Sequence, residues 1–329
     1  MASRLPRLYL GTMTFGWEKA SVPVTESVGT EMILRAAAAG VQYIDSARIY
    51  AGGATEPIVG ACLRNVAAQA PDVRPTLRIT TKAHPSQQRG LSSAGIIAQV
   101  NDSLAALGVE YVDELYLHQP DTVNDLVESL ATADELVKRG LVRRLGMSNY
   151  HDVEVVRCLQ LCRENNWTPP TIYQGLYNPL NRRVEVSLLP LLKRNNIDFI
   201  AYNALAAGLL SGKHKRGADV AEGRFKENPN YLPRFYNDPN FQALDIIQRS
   251  LPDDLSTITA TYQWLLRHSM LGPNDGVLLG ASSLEQLDNN LASCAVAATA
   301  APLSEDTLRS FDSAWEVCKE VSFPYWRGY

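Results

Sequence analysis

No apolar run in the chain approaches the roughly 20 residues that a membrane-crossing helix needs. The first residues, Met1-Ala2-Ser3-Arg4-Leu5-Pro6, carry no apolar signal core. Neither sign of charge is in excess: the net charge is −4 and the pI near 5.8, which leaves no electrostatic footprint for nucleic acid or an anionic membrane. Cysteine is scarce. The five residues, Cys62, Cys158, Cys162, Cys294 and Cys318, are odd in number and lack a zinc spacing, and the pair at 158 and 162 reads as helix packing. Histidine is equally scarce at five, which disfavours a hydrolytic metal site built from Asp45, His118 and Asp121. No low-complexity segment or sequence repeat is detectable, and no G-x-G-x-x-G follows the first predicted strand, so an open dinucleotide-binding sheet is the weaker fold. These absences predict a reduced, cytoplasmic protein with no nucleic-acid partner, no membrane and no bound metal.

What is present suits a large core: 46% of the 329 residues are hydrophobic and 20% charged. After a β-prone run over Leu8–Met13, strand-like and helix-like stretches alternate. Predicted strands lie at Tyr43–Ser46, Arg78–Lys82, Glu114–His118, Val142–Met147, Thr171–Leu176, Asp198–Tyr202 and Gly276–Gly280. Between them the predicted helices run over Glu31–Ala39, Glu56–Val66, Ser93–Leu107, Val123–Lys138, Val153–Asn165 and Val184–Arg194, with later ones near Phe241–Ser250, Ser256–His268 and Leu284–Ala292. The strands are short continuous apolar runs, as expected of sheet buried on both faces. About eight strand–helix units predict an α/β fold, a (β/α)8 TIM barrel forming one domain over residues 1–329. A long irregular insertion over Ala206–Asn240, an extra helix over Ser304–Val321 and an aromatic tail, Phe323 to Tyr329, complete it.

Three predicted strands share one grammar, an apolar run ending in an ionisable group: Tyr43-Ile44-Asp45 with Tyr50 just beyond, Ile79-Thr80-Thr81-Lys82, and Leu115-Tyr116-Leu117-His118. In a barrel, strand C-termini converge on one face. A phenol donates its proton poorly near neutral pH, and a buried ammonium close by makes it more acidic. Asp45 would keep Lys82 charged and aimed, and His118 would offer a ring N–H to a carbonyl oxygen. The set suits protonating an alkoxide as it forms, hence carbonyl reduction with a cofactor supplying hydride. Ser148-Asn149 and Gln174 end later strands with groups suited to a carboxamide, and Tyr202 could stack on a planar ring. Ser283 stands three residues before Gln286, the spacing of a capping box, at a helix start suited to phosphate.

At these residues the chain resembles the aldo-keto reductases, most closely the aflatoxin-aldehyde/succinic-semialdehyde reductase branch. The resemblance covers nearly the whole chain. It rests on Leu10-Gly11-Thr12-Met13, Tyr43-Ile44-Asp45 with Tyr50, Thr81-Lys82, Leu117-His118, Gly146-Met147-Ser148-Asn149-Tyr150, Tyr173-Gln174-Gly175, Ala201-Tyr202-Asn203, Gly208 to Lys213 and Leu279 to Leu287. It implies NADPH rather than NADH, a small-molecule carbonyl substrate, and Tyr50 as general acid with Asp45, Lys82 and His118. It implies that Ser148, Asn149 and Gln174 bind the carboxamide and that Tyr202 stacks on the nicotinamide. Asn203, Leu205, Gly208, Leu210 and Gly212 would wrap the pyrophosphate, and Gly280, Ser282, Gln286 and Asn290 would hold the adenosine end. Arg224 matches a cofactor-contacting Arg. His118, Tyr231, Arg234 and Arg327 match the substrate side. The residues 280–290 hold no Lys or Arg, so NADPH preference leans on Arg224. Arg234 and Arg327 could clamp a carboxylate in bidentate fashion, favouring acidic or polar aldehydes such as semialdehydes, with ketones and dialdehydes also in reach. The branch implies a homodimer. A cofactor-binding regulatory subunit of the same fold, with little turnover, is the alternative of another class.

Overall fold

Short runs of β-branched, aromatic and aliphatic residues form the inner wall of the molecule. The computed structural model describes residues 5–17, 23–217, 225 and 231–327. Eight parallel strands, β1 (Arg7–Gly11), β2 (Tyr43–Asp45), β3 (Arg78–Ala83), β4 (Val112–Leu117), β5 (Val142–Ser148), β6 (Ile172–Leu176), β7 (Asp198–Tyr202) and β8 (Gly276–Gly280), pair in sequence order. Register Arg7↔Gly276 through Gly11↔Gly280 closes the barrel between β1 and β8. Helices α1 (Glu26–Ala38), α2 (Thr55–Gln69), α3 (Ser93–Leu107), α4 (Leu126–Lys138), α5 (Asp152–Asn165) and α6 (Leu188–Arg194) each follow the strand of the same count. The stretch after β7 carries α7 (Leu232–Phe235), α8 (Asp238–Ser250) and α9 (Thr257–Gln263); α10 (Leu284–Thr299) and α11 (Glu305–Cys318) follow β8. This is the (β/α)8 barrel expected from the alternation.

The two-residue period of the strands divides the core in two. Leu10, Ile44, Ile79, Leu115, Met147, Phe199 and Leu279 point outward and pack under the helices. Tyr9, Tyr116, Ile172 and Ile200, with Tyr43 and Leu278 against them, fill the barrel's inside. Rings of this size fit because the neighbouring strand supplies glycine. A Cβ at Gly146 would lie 2.5 Å from Tyr116 Cδ1, and one at Gly276 would lie 2.7 Å from Tyr9 Cε2.

Several boundaries differ from the sequence reading. α1 starts at Glu26 rather than Glu31: Ser27, Val28, Gly29 and Thr30 are poor helix formers, but Gly29 packs flush on Phe15 and Cys62, where a Cβ would come within 2.9 Å of Cys62 Sγ. Pro190 breaks the sixth helix into a 3₁₀ turn, Arg183–Glu185, and the short α6. β4 begins at Val112 and ends at Leu117, one residue short of His118. α10 continues to Thr299, beyond Ala292.

Candidate active site

β2 and β3 place Asp45 and Lys82 at the C-terminal mouth of the barrel. With no side-chain exposure, Lys82 donates from Nζ to Asp45 Oδ2 at 2.7 Å and to Ser46 O at 2.6 Å. Asp45 Oδ1 accepts from Thr80 Oγ1 and Gln174 Nε2, both at 2.9 Å. A dry ammonium is costly, and burial lowers the Lys82 pKa even as Asp45 pulls it up. Two good bonds to oxygen are what keep such a pair tenable.

Tyr50 follows on a loop that turns through left-handed backbone at Ala51 (φ 47°), Gly52 (φ 64°) and Gly53 (φ 97°). A non-glycine residue held at positive φ is strained and needs support. Buried Glu56 gives it: Thr81 Oγ1 donates to Glu56 Oε1 at 2.6 Å, while Arg48 Nη1 reaches Glu56 Oε2 and Gly53 O, each at 3.4 Å. The Tyr50 ring is brought over Lys82, with Nζ 4.9 Å from its centroid. His118, tied through its backbone N–H to Ala83 O at 2.9 Å, meets the Tyr50 ring edge to face at 5.7 Å. Burial, then Lys82, His84 and Arg327, hold the His118 pKa well below its ordinary value, so the ring is neutral at pH 7.

Asp45, Tyr50 and His118 border a cavity of about 590 Å³ that runs from Tyr50 to the start of α10. Ser148, Asn149 and Gln174 line it from β5 and β6, Tyr202 and Asn203 from the end of β7, and Leu205 and Gly208 from the turn beyond. Gly280, Ser282, Gln286 and Asn290 line the far end, and Tyr231, Arg234 and Arg327 the near side. Asn149 Nδ2 donates to His118 O and to Ser148 Oγ, both at 2.9 Å, and Asn149 Oδ1 accepts from Tyr202 OH at 2.7 Å. The turn after β7 has positive φ at Asn203, Ala206, Ala207 and Gly208, which curls the backbone around the cavity wall. A Cβ at Gly208 or Gly280 would meet nothing within 4 Å, so a ligand can approach the main chain there. The donors, bare backbone and volume of this cavity fit a dinucleotide.

Residues 7–316 match the Aldo/keto reductase family. The chain belongs to that family. Aflatoxin B1 aldehyde reductase member 2 of Rattus norvegicus is 34% identical, covering 98% of this chain and 88% of its own. Aldo-keto reductase family 7 member A3 of Homo sapiens is 33% identical over 98% of this chain and 97% of its own, and oxidoreductase sirO of Leptosphaeria maculans is 32% identical over 97% of each. An aldo/keto reductase is an NAD(P)H-dependent oxidoreductase that acts on small carbonyl compounds, so the resemblance read from the motifs holds, branch included. No helix among the described residues is long and apolar enough to cross a membrane.

Within this reductase, some expected positions fall away from the cavity. Leu210 is buried in the core, and Gly212, at φ 75°, faces Gln248 instead. Arg224 lies outside the described residues. The capping box is half as expected: Ser283 Oγ accepts from Gln286 N, but Gln286 Oε1 accepts from Ser282 N and Oγ at 3.0 Å, one residue earlier than the reciprocal bond requires. Asp121 closes a loop by accepting from Leu91, Val123 and Asn124 backbone N–H groups, and it does not line the cavity that Asp45 and His118 border. Among the cavity residues that escape the sequence reading, two carry ionisable side chains. His84, after β3, lines the cavity and stands edge-on to His118 at 5.0 Å. Lys213 lines it beyond the turn after β7. The strand-end grammar that picks out Lys82 stops two residues short of His84.

Proposed function

We propose that this reductase converts small aldehydes to alcohols with NADPH, and that Tyr50 is the general acid. The observation that carries the reading is the Lys82 ammonium, wholly buried 2.7 Å from Asp45 and 4.9 Å from the Tyr50 ring centroid. When bound, the reduced nicotinamide supplies hydride. Tyr50 OH gives its proton to the carbonyl oxygen as negative charge develops there, and the fixed Lys82 cation favours the phenolate left behind. Neutral His118 orients the same oxygen. Ser148, Asn149 and Gln174 address the carboxamide, with Asn149 held by Tyr202, and Tyr202 also forms one wall of the ring site. Asn203, Leu205 and Gly208 present backbone to the pyrophosphate; Gly280, Ser282, Gln286 and Asn290 take the adenosine end.

NADPH is favoured over NADH because Lys213, on the cavity wall, offers a cation to a 2′-phosphate. Arg234 stacks on Phe323 at 3.8 Å, and burial together with Arg327 lowers its pKa, so two cations crowd the substrate side. An anionic substrate group relieves that repulsion, which supports carboxylate-bearing semialdehydes as preferred substrates with Tyr231 beside them. The protein acts as a single domain within a cytoplasmic homodimer.

The test is NADPH consumption over an aldehyde panel that includes succinic semialdehyde, wild type against Tyr50→Phe. Loss of about 10³-fold in kcat with cofactor binding retained is expected. Turnover that survives the substitution overturns the role of Tyr50, and tight NADPH binding without turnover on any aldehyde moves the protein to the regulatory class.

A further inference from the structure

Glu114 is fully buried in the barrel floor, and no step above uses it. It faces inward beside Thr80 of β3 and Arg144 of β5. Its Oε2 accepts from Tyr116 OH at 2.6 Å, its Oε1 accepts from Tyr9 OH at 3.2 Å, and Arg144 Nη1 lies 3.4 Å from Oε1. The ionisable groups around it come from five strands. They are Tyr9 with Arg7 behind it, Tyr43 and Asp45, Lys82, Tyr116, and Arg144, which also holds Asp198 of β7. Burial pushes the Glu114 carboxyl up to about 7 against the pull of Tyr116, Arg144 and Tyr9.

Tyr116 stands beside Lys82 in the β3–β4 register, with Lys82 Nζ 5.8 Å from its ring centroid. On its other side the same ammonium lies under Tyr50. A series of carboxylate, phenol, ammonium and phenol therefore climbs from floor to mouth through a dry interior, where charges act on one another with little screening.

We propose that Glu114 is a positioning residue: acting through Tyr116 on the Lys82 ammonium, its carboxylate sets how readily Tyr50 gives up its proton. The inference rests on the reading of Tyr50 as the acid. A nearby negative charge makes a proton harder to remove from Lys82 and from Tyr50 alike, and it opposes the charge growing on the substrate oxygen. Protonation of Glu114 lifts both effects. Reduction therefore speeds up as pH falls through neutrality, and Glu114→Gln, neutral and of similar shape, behaves at every pH like the protonated form.

The experiment measures kcat/KM across neutral pH for wild type, Glu114→Gln and Tyr116→Phe, with Tm and NADPH binding as checks on folding. A turnover-independent titration accompanies it: NMR of protein carrying [13Cζ]-tyrosine, the Tyr50 resonance being the one absent in Tyr50→Phe. The ratio of Glu114→Gln to wild type should rise about threefold between about pH 6 and pH 8, and the Tyr50 midpoint should fall in the variant. Tyr116→Phe removes a bond that steadies the Glu114 carboxylate, so the wild-type inflection should move to higher pH. A constant ratio with an unmoved Tyr50 midpoint overturns the proposal. If Glu114→Gln does not fold, an inflection unmoved in Tyr116→Phe overturns it instead. Activity that survives Tyr50→Phe marks failure of the underlying acid assignment, whereas a dead Tyr50→Phe with a flat ratio marks failure of the Glu114 coupling alone.

Discussion

The mouth and the floor of this barrel each bury a carboxylate beside a cation, but the two pairs are built differently. At the mouth both partners are dry, and Lys82 has two oxygen acceptors within 2.7 Å. At the floor the cation is 29% exposed and shared: Arg144 reaches Glu114 at 3.4 Å, Asp198 at 2.7 Å and Thr171 O at 3.0 Å. Phenols from Tyr9 and Tyr116 supply the closer hydrogen bonds to Glu114. The mouth pair holds charge where the proposed chemistry needs it, and among the described residues Lys82 is the one cation paired with Asp45. The floor pair can let its acid go neutral, because a protonated carboxyl still has two phenols to bond.

The sharpest way to break the comparison is Lys82→Met. It leaves Asp45 buried without its cation, which should cost about 3–5 kcal/mol of unfolding free energy. Activity should fall about 10²–10³-fold at least, since a preorganised charge is removed from beside Tyr50. Chemical denaturation with an NADPH-consumption assay checks both. Adding Asp45→Asn should restore much of the stability and none of the activity. Full activity in the single variant would mean that Lys82 is structural.

The next effect is one of pH and stability, and here mouth and floor act in opposite directions. Glu114 has its folded pKa raised to about 7, so the stability it contributes is present in acid and lost as pH climbs from the ordinary carboxylate range through 7. Taking an unfolded pKa near 4.3, the change amounts to about 3–4 kcal/mol. His118 has its folded pKa pushed below the unfolded value, so it stays neutral while the unfolded chain takes a proton, and stability falls as pH drops below about 6.5. Wild-type stability should therefore vary little across mildly acid pH. Glu114→Gln should expose the acid-side loss due to His118, and His118→Asn the alkaline-side loss due to Glu114. Urea midpoints over that range read both, and parallel curves for all three proteins would refute the assignment.

Much of this contrast is legible in the sequence at the mouth and little of it at the floor. Asp45, Lys82 and His118 announce themselves because each ends an apolar run, and strand ends in a barrel share a face. Which bonds join them is not legible. Gln174 meets Asp45 only because β6 and β2 lie across one closed sheet, a contact that no local pattern encodes. Glu114 reads as the opening residue of its strand, whereas β4 starts at Val112 and points Glu114 into the barrel. Its partners Tyr9, Tyr116 and Arg144 come from three strands whose register is fixed by closure. The start of α1 escapes for a related reason, since its first turn is stabilised by packing on Phe15 and Cys62 rather than by helix propensity.

The smallest expected effect falls on the floor cation itself. In Arg144→Met, Glu114 loses its one charged partner among the described residues but keeps both phenol donors, and its carboxyl responds by titrating at still higher pH rather than remaining as an unpaired charge. Asp198 keeps Arg7 at 2.9 Å. Since Arg144 is partly solvated, the loss of stability should be only about 1 kcal/mol, well short of the cost at Lys82. With Glu114 more often neutral, kcat/KM at pH 7 should drift toward the Glu114→Gln value by no more than about twofold. A loss as large as that of Lys82→Met would show that the floor depends on its charges as heavily as the mouth does, and that its acid cannot neutralise in place.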